Sequence, residues 1–100
     1  MQEKKIEAYL VKQVRDVLKG KAYKFTSPGM RAVPDRLCVV NGHCFFVECK
    51  ASDKYLTDAQ QREFDRLNDQ DQWVYMVNSM SDIDTIISFW EQKLWTDGRL

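Results

Sequence analysis

A proline-acid pair and an acid-x-lysine triplet flank the middle of this chain, and their spacing suits one kind of chemistry. Pro34-Asp35 precedes the apolar run Leu37-Cys38-Val39-Val40, and Glu48-Cys49-Lys50 follows the run Cys44-Phe45-Phe46-Val47, with Asn41-Gly42 between them. Asn-Gly between apolar runs is the strongest short-range signal for a hairpin with a two-residue type I′ turn. That turn sets Val40 opposite His43, so opposed residues sum to 83 in sequence number and Asp35 faces Glu48. Directly opposed side chains have Cβ atoms about 4.5–5.5 Å apart, where like charges destabilise the pair. A divalent cation reverses that sign, because Mg²⁺ and Mn²⁺ take one or two carboxylates together with water and phosphate oxygens. Alternation along the second strand puts Phe46, Glu48 and Lys50 on one face and Phe45, Val47 and Cys49 on the other. Lys50 is then a compact cation beside two acids, suited to orienting a water or stabilising charge on a phosphoryl group. Singly, Asp35 also reads as a strand cap, and Glu48 with Lys50 as an exposed ion pair. Their combination is what points to metal-assisted phosphoryl chemistry.

The flanking segments supply the elements that must hold these residues. Ile6, Leu10, Val14, Val17 and Leu18 recur at helical spacing and predict an amphipathic helix ending near Gly20. At about 100° per residue, both Glu3 and Glu7 fall inside its apolar stripe and are expected to point toward the core. Residues 22–26 alternate like a half-buried strand and run into the turn signal Ser27-Pro28-Gly29. After the hairpin, Thr57-Asp58-Ala59-Gln60 fits a capping box and opens a second helix to about Asp69. Gln60 shares a helical face with Phe64 and Leu67, so its amide can either complete that box or reach a site residue or phosphate. Trp73–Val77 reads as a short buried strand, and Ile83, Ile86, Ile87, Trp90 and Leu94 form a last helical stripe after Ser81. The order α-β-β-β-α-β-α predicts an α/β fold, with an antiparallel hairpin and a fourth strand added in parallel through a helical crossover.

With 100 residues, 44% of them hydrophobic, the chain suits a single domain over 1–100 with one core and hence one site. No apolar run is long enough to span a bilayer and no signal-peptide pattern opens the chain, so the expectation is a soluble, cytoplasmic protein. Net charge is zero but unevenly spread: residues 12–54 carry nine positive and four negative charges, and residues 55–100 carry four and nine. That asymmetry can give a neutral protein a basic face suited to a nucleic-acid backbone. The backbone-contact candidates from this middle region are Lys24, Arg31, Arg36 and Lys54, with Ser27 and Gly29 as loop donors. A zinc module is the alternative suggested by His43 and three cysteines, Cys38, Cys44 and Cys49. The hairpin puts Cys38 and Cys44 on opposite faces, and no metal-ligand spacing is met.

Taken as a set, Glu7, Ser27-Pro28-Gly29, Val33-Pro34-Asp35-Arg36, Phe46-Val47-Glu48-Cys49-Lys50 and Gln60 resemble the PD-(D/E)XK nuclease superfamily and, more narrowly, the VRR-NUC domain, over residues 3–78. The resemblance implies a restriction-endonuclease-like core with a mixed sheet flanked by helices. It further implies a Mg²⁺- or Mn²⁺-dependent phosphodiesterase acting on DNA, with stand-alone viral and bacterial members behaving like Holliday-junction resolvases that work as dimers. By the same resemblance, Glu7, Asp35 and Glu48 are metal ligands, Lys50 and Gln60 complete the catalytic set, and Glu3 is the alternative first-helix acid. Cys49 occupies the variable position between Glu48 and Lys50; its side chain turns away while its carbonyl is a further metal contact. Tyr55 and Trp95, apolar without a place in a small core, suit a homodimer on branched DNA. The alternatives are a flap or single-strand nuclease, and a catalytically silent DNA-binding scaffold of the same fold.

Overall fold

The apolar stripe of the first helix sets the base of the structure. In the computed structural model, which describes residues 1–100, helix α1 (Glu3–Asp16) buries Ile6, Leu10 and Val14 completely, and Leu18 continues the stripe beyond its end. The chain leaves the helix through Lys19 at φ +57°, and Gly20 follows because a side chain there would collide with the Val39 carbonyl and the Val40 side chain. Glycine is required at this point for close approach of two backbones.

Strand β1 (Lys21–Lys24) is shorter than the expected 22–26 and buries only Ala22. It is an edge strand carrying two lysines, a usual protection of an open edge against further pairing. Strands β2 (Arg36–Val40) and β3 (His43–Cys49) form the expected hairpin, with Asn41 at φ +43° and Gly42 at φ +91°, the two positive values a type I′ turn needs. Register runs from Val40 opposite His43 to Arg36 opposite Val47, so every pair in the ladder keeps the sum of 83.

Helix α2 (Asp58–Asp69) starts on a complete capping box, and β4 (Val74–Val77) then pairs in parallel with β3. Helix α3 (Met80–Thr96) is capped by Ser79, whose hydroxyl accepts from the Asp82 N–H, two residues ahead of the start expected after Ser81. Sheet order is β1-β2-β3-β4. One face, with Cys38, Val40, Phe45, Val47, Cys49 and Val77, packs on the buried stripes of α1 and α3. Trp90 anchors this layer, stacked on Phe45 at 4.9 Å with its indole N–H donated to the Tyr75 hydroxyl. The other face carries Glu48 and meets α2, whose Phe64 is buried outside that main cluster. The architecture is the mixed α/β sheet flanked by helices that the element order implied.

Candidate active site

The hairpin ladder stops one step short of Asp35. Continuing the register would set Pro34 opposite Cys49, and proline has no N–H to give a ladder. Pro34 is fully buried, and the Cys49 N–H is taken instead by Asp35 Oδ2 at 3.0 Å. The carboxylate thus fills a place that a backbone carbonyl would hold in a longer strand, which fixes its orientation. The Asp35 carbonyl turns the other way and accepts from the Phe25 N–H at 2.8 Å.

Glu48 lies at the C-terminal end of β3 and is only 4% exposed. Its Oε2 is 3.6 Å from Lys50 Nζ and accepts from Gln60 Nε2 at 3.2 Å. The other end of the Gln60 amide accepts the Thr57 N–H at 2.9 Å. The two roles open for Gln60 are therefore filled together, and each fixes the amide for the other. Burial, then the charge of Asp35, pushes the Glu48 carboxyl up to about 7, against the opposing pull of Lys50. Burial also raises Asp35, with the Cys49 N–H acting in the opposite direction. Two adjacent acids that resist ionisation in a desolvated place form a site that favours a cation.

Glu7 sits at the rim of this arrangement. Its Oε2 accepts from Arg36 Nε at 2.7 Å and lies 3.5 Å from Lys24 Nζ. Arg36 also donates to the Ala22 carbonyl at 3.0 Å, so its guanidinium ties α1 to β1. Arg36, expected as a backbone contact, is instead mostly covered and committed to Glu7. The signal was in the alternation: the parity that gives Asp35 and Glu48 one face gives Arg36 and Val47 the other, beneath α1. Glu7, Asp35 and Glu48 are not drawn into one ligand cluster; no group of three or more His, Cys, Asp or Glu side chains is arranged around a common point. Glu3, expected to point inward with Glu7, is exposed, yet near enough to Glu48 for its charge to add to the upward push on that carboxyl.

Of the remaining expected residues, Lys24, Arg31, Gly29 and Lys54 are exposed and Ser27 is half-buried. Lys24, Ser27 and Arg31 line one groove together with Asp35. Cys38 and Cys49 are buried in the core layer, whereas Cys44 is exposed on the opposite face of the hairpin. His43 is held by Asp97 at 3.1 Å and lies against Trp90.

The donor set suits a hard divalent ion, which takes one or two carboxylates together with water and phosphate oxygens. Asp35 and Glu48 would hold such an ion.

No family model matches the sequence. Over 68 residues it is 52% identical to "Putative nuclease p44" of Acyrthosiphon pisum secondary endosymbiont phage 1, a match covering 67% of this chain and 72% of the relative. Among solved structures, one described as "VRR_NUC domain" superposes with a TM-score of 0.79 at 26% identity, over 86% of this chain and 94% of its own.

Proposed function

Since the chain belongs to the VRR-NUC family of nuclease domains, we propose that it is a Mg²⁺- or Mn²⁺-dependent DNA endonuclease whose site is Asp35, Glu48, Lys50 and Gln60. The observation that carries this reading is the desolvated pairing of Glu48 with Asp35, set between the Lys50 ammonium and the Gln60 amide. Such a pairing costs stability in a fold with no ion to hold, and it is useful where a cation is bound.

A bound divalent ion supplies Lewis acidity toward the scissile phosphate and lowers the pKa of an attacking water. The protein's own part is positioning. The Cys49 N–H aims Asp35, Gln60 aims Glu48, and Lys50 offers a donor to the water or to a phosphate oxygen from the same face. The Cys49 carbonyl would be a further contact for the ion. Glu7, paired with Arg36, would be a third ligand. Lys24, Ser27, Gly29, Arg31 and Lys54 contact the DNA backbone, while Arg36 holds Glu7.

The substrate is branched DNA of the four-way-junction type, cut by a homodimer. Support for the dimer comes from Tyr55 and Trp95, each 69% exposed, a large apolar area for a monomer to leave in water. Residues 1–100 act as one nuclease domain.

Incubating the protein with labelled four-way junctions, flaps, single strands and duplexes in Mg²⁺, Mn²⁺ or EDTA tests this reading. Metal-dependent cutting that favours the junction is expected. Absent cutting of every substrate overturns the enzyme, cutting that persists in EDTA overturns the metal dependence, and a preference for flaps or single strands overturns the junction assignment.

A further inference from the structure

The loop between β1 and β2 leaves a groove of about 330 Å³ that opens beside Asp35. Phe25, Met30 and Val33 line it together with the cations Lys24 and Arg31, the hydroxyl residues Thr26 and Ser27, and Asp35. That volume is at the small end of the range for ligand sites, about 300–1,000 Å³. Asp35 is its only acid, so away from the proposed metal the groove combines apolar side chains with cations.

The groove is built rather than incidental. The Phe25 N–H to Asp35 carbonyl bond, 2.8 Å, closes the loop at its base. The Met30 N–H donates to the Ser27 carbonyl at 3.1 Å, closing a tight turn whose Gly29 sits at φ +77°. Phe25 is braced from behind by Phe46, with ring centroids 5.5 Å apart, and is half-buried, leaving part of its ring for the groove. A preformed apolar slot loses little freedom when it is filled.

Resting on the nuclease reading above, we propose that this groove takes a single unpaired nucleotide of DNA, its base against Phe25 and Met30 and its flanking phosphates on Lys24 and Arg31. Bases in a regular duplex are paired and stacked, so filling the groove from one costs unstacking, and that cost is least where a base is already unpaired. Stacking on an aromatic ring accepts any base, because every base has a π-face. The slot therefore reads DNA structure rather than sequence. With Asp35 in its lining, it sets the phosphate beside the unpaired nucleotide against the acidic pair.

The test compares three labelled duplexes of one sequence: fully paired, with one bulged nucleotide, and with an abasic residue at the bulge. Affinity is read by fluorescence anisotropy in EDTA, so binding is scored without cleavage. The base-bearing bulge is expected to bind about tenfold tighter than the abasic bulge, the scale of one base–aromatic stack. Phe25→Leu, which keeps an apolar side chain but removes the ring, and Met30→Ala, at an exposed position, are each expected to lose most of that preference while still melting cooperatively as folded proteins. Equal affinity for base-bearing and abasic bulges overturns the proposal, as does full preference in both folded variants. Parallel reactions in Mg²⁺ keep the two readings apart: cutting without preference for the base-bearing bulge counts against the groove alone, whereas no cutting of any DNA counts against the nuclease.

Discussion

Replacing Glu48 by glutamine should stabilise the metal-free protein above neutral pH and do little below pH 5. Burial and the charge of Asp35 raise this carboxyl from its ordinary 4.5 to about 7, while the unfolded chain keeps the ordinary value. Between those limits the unfolded state has released the proton and the folded state still holds it, so stability falls as pH rises and levels off above about 7. Each tenfold change in proton affinity corresponds to roughly 1.4 kcal/mol, which makes the whole loss about 3 kcal/mol. For 100 residues that is roughly 14 °C in Tm, taking about 2.1 cal/mol/K of unfolding entropy per residue. Glutamine is nearly isosteric, still accepts from the Gln60 amide, and presents its own N–H groups toward Asp35. Thermal or urea unfolding of both proteins in EDTA, from pH 4.5 to 8.5, reads the effect directly. Curves that separate with rising pH, the variant being the more stable, are expected. A constant offset, or a wild type that gains stability between pH 5 and 7.5, would refute the account of Glu48 as a desolvated acid beside a second one.

Three shorter expectations accompany it. Mg²⁺ or Mn²⁺ should stabilise the wild type at pH 7.5 by about 2.7 kcal/mol at one hundred times Kd, read as a higher Tm; scanning fluorimetry of Asp35→Asn should show this gain lost. Thr57→Ala and Gln60→Ala should each cost about 1 kcal/mol through the shared capping box, but only Gln60→Ala should also slow cleavage, because it alone removes the donor to Glu48. A thiol reagent should modify one cysteine in the native protein, the exposed Cys44, and three after unfolding; burial shields Cys38 and Cys49 and pushes the Cys38 thiol up to about 12.

Local physics explains what could be read from the residues alone. Helical stripes, the Asn41-Gly42 turn and strand alternation depend on neighbours within a few residues. The order of elements, the hairpin register and the grouping of Glu48 with Lys50 therefore follow from the chain itself and agree with the structure. The parallel fourth strand followed from a crossover rule of the same generality.

Tertiary structure decided which partner each charged group meets. Helical phase aimed both Glu3 and Glu7 inward, but phase fixes only an angle about the helix axis, not how far along the sheet a residue lands. The packed structure leaves Glu3 exposed near Glu48 and brings Glu7 to Arg36, 29 residues away in sequence. Gln60 had two satisfactory roles on paper, and the docking of α2 over Glu48 lets one amide fill both. The groove of Phe25, Met30 and Val33 carries no periodic signal, because a loop closed by single hydrogen bonds takes its shape from where its ends are held. Asp35, Glu48 and Lys50 were legible as a set because one turn and one alternation relate all three; the burial of Glu48 was not, since it depends on the helix laid over it.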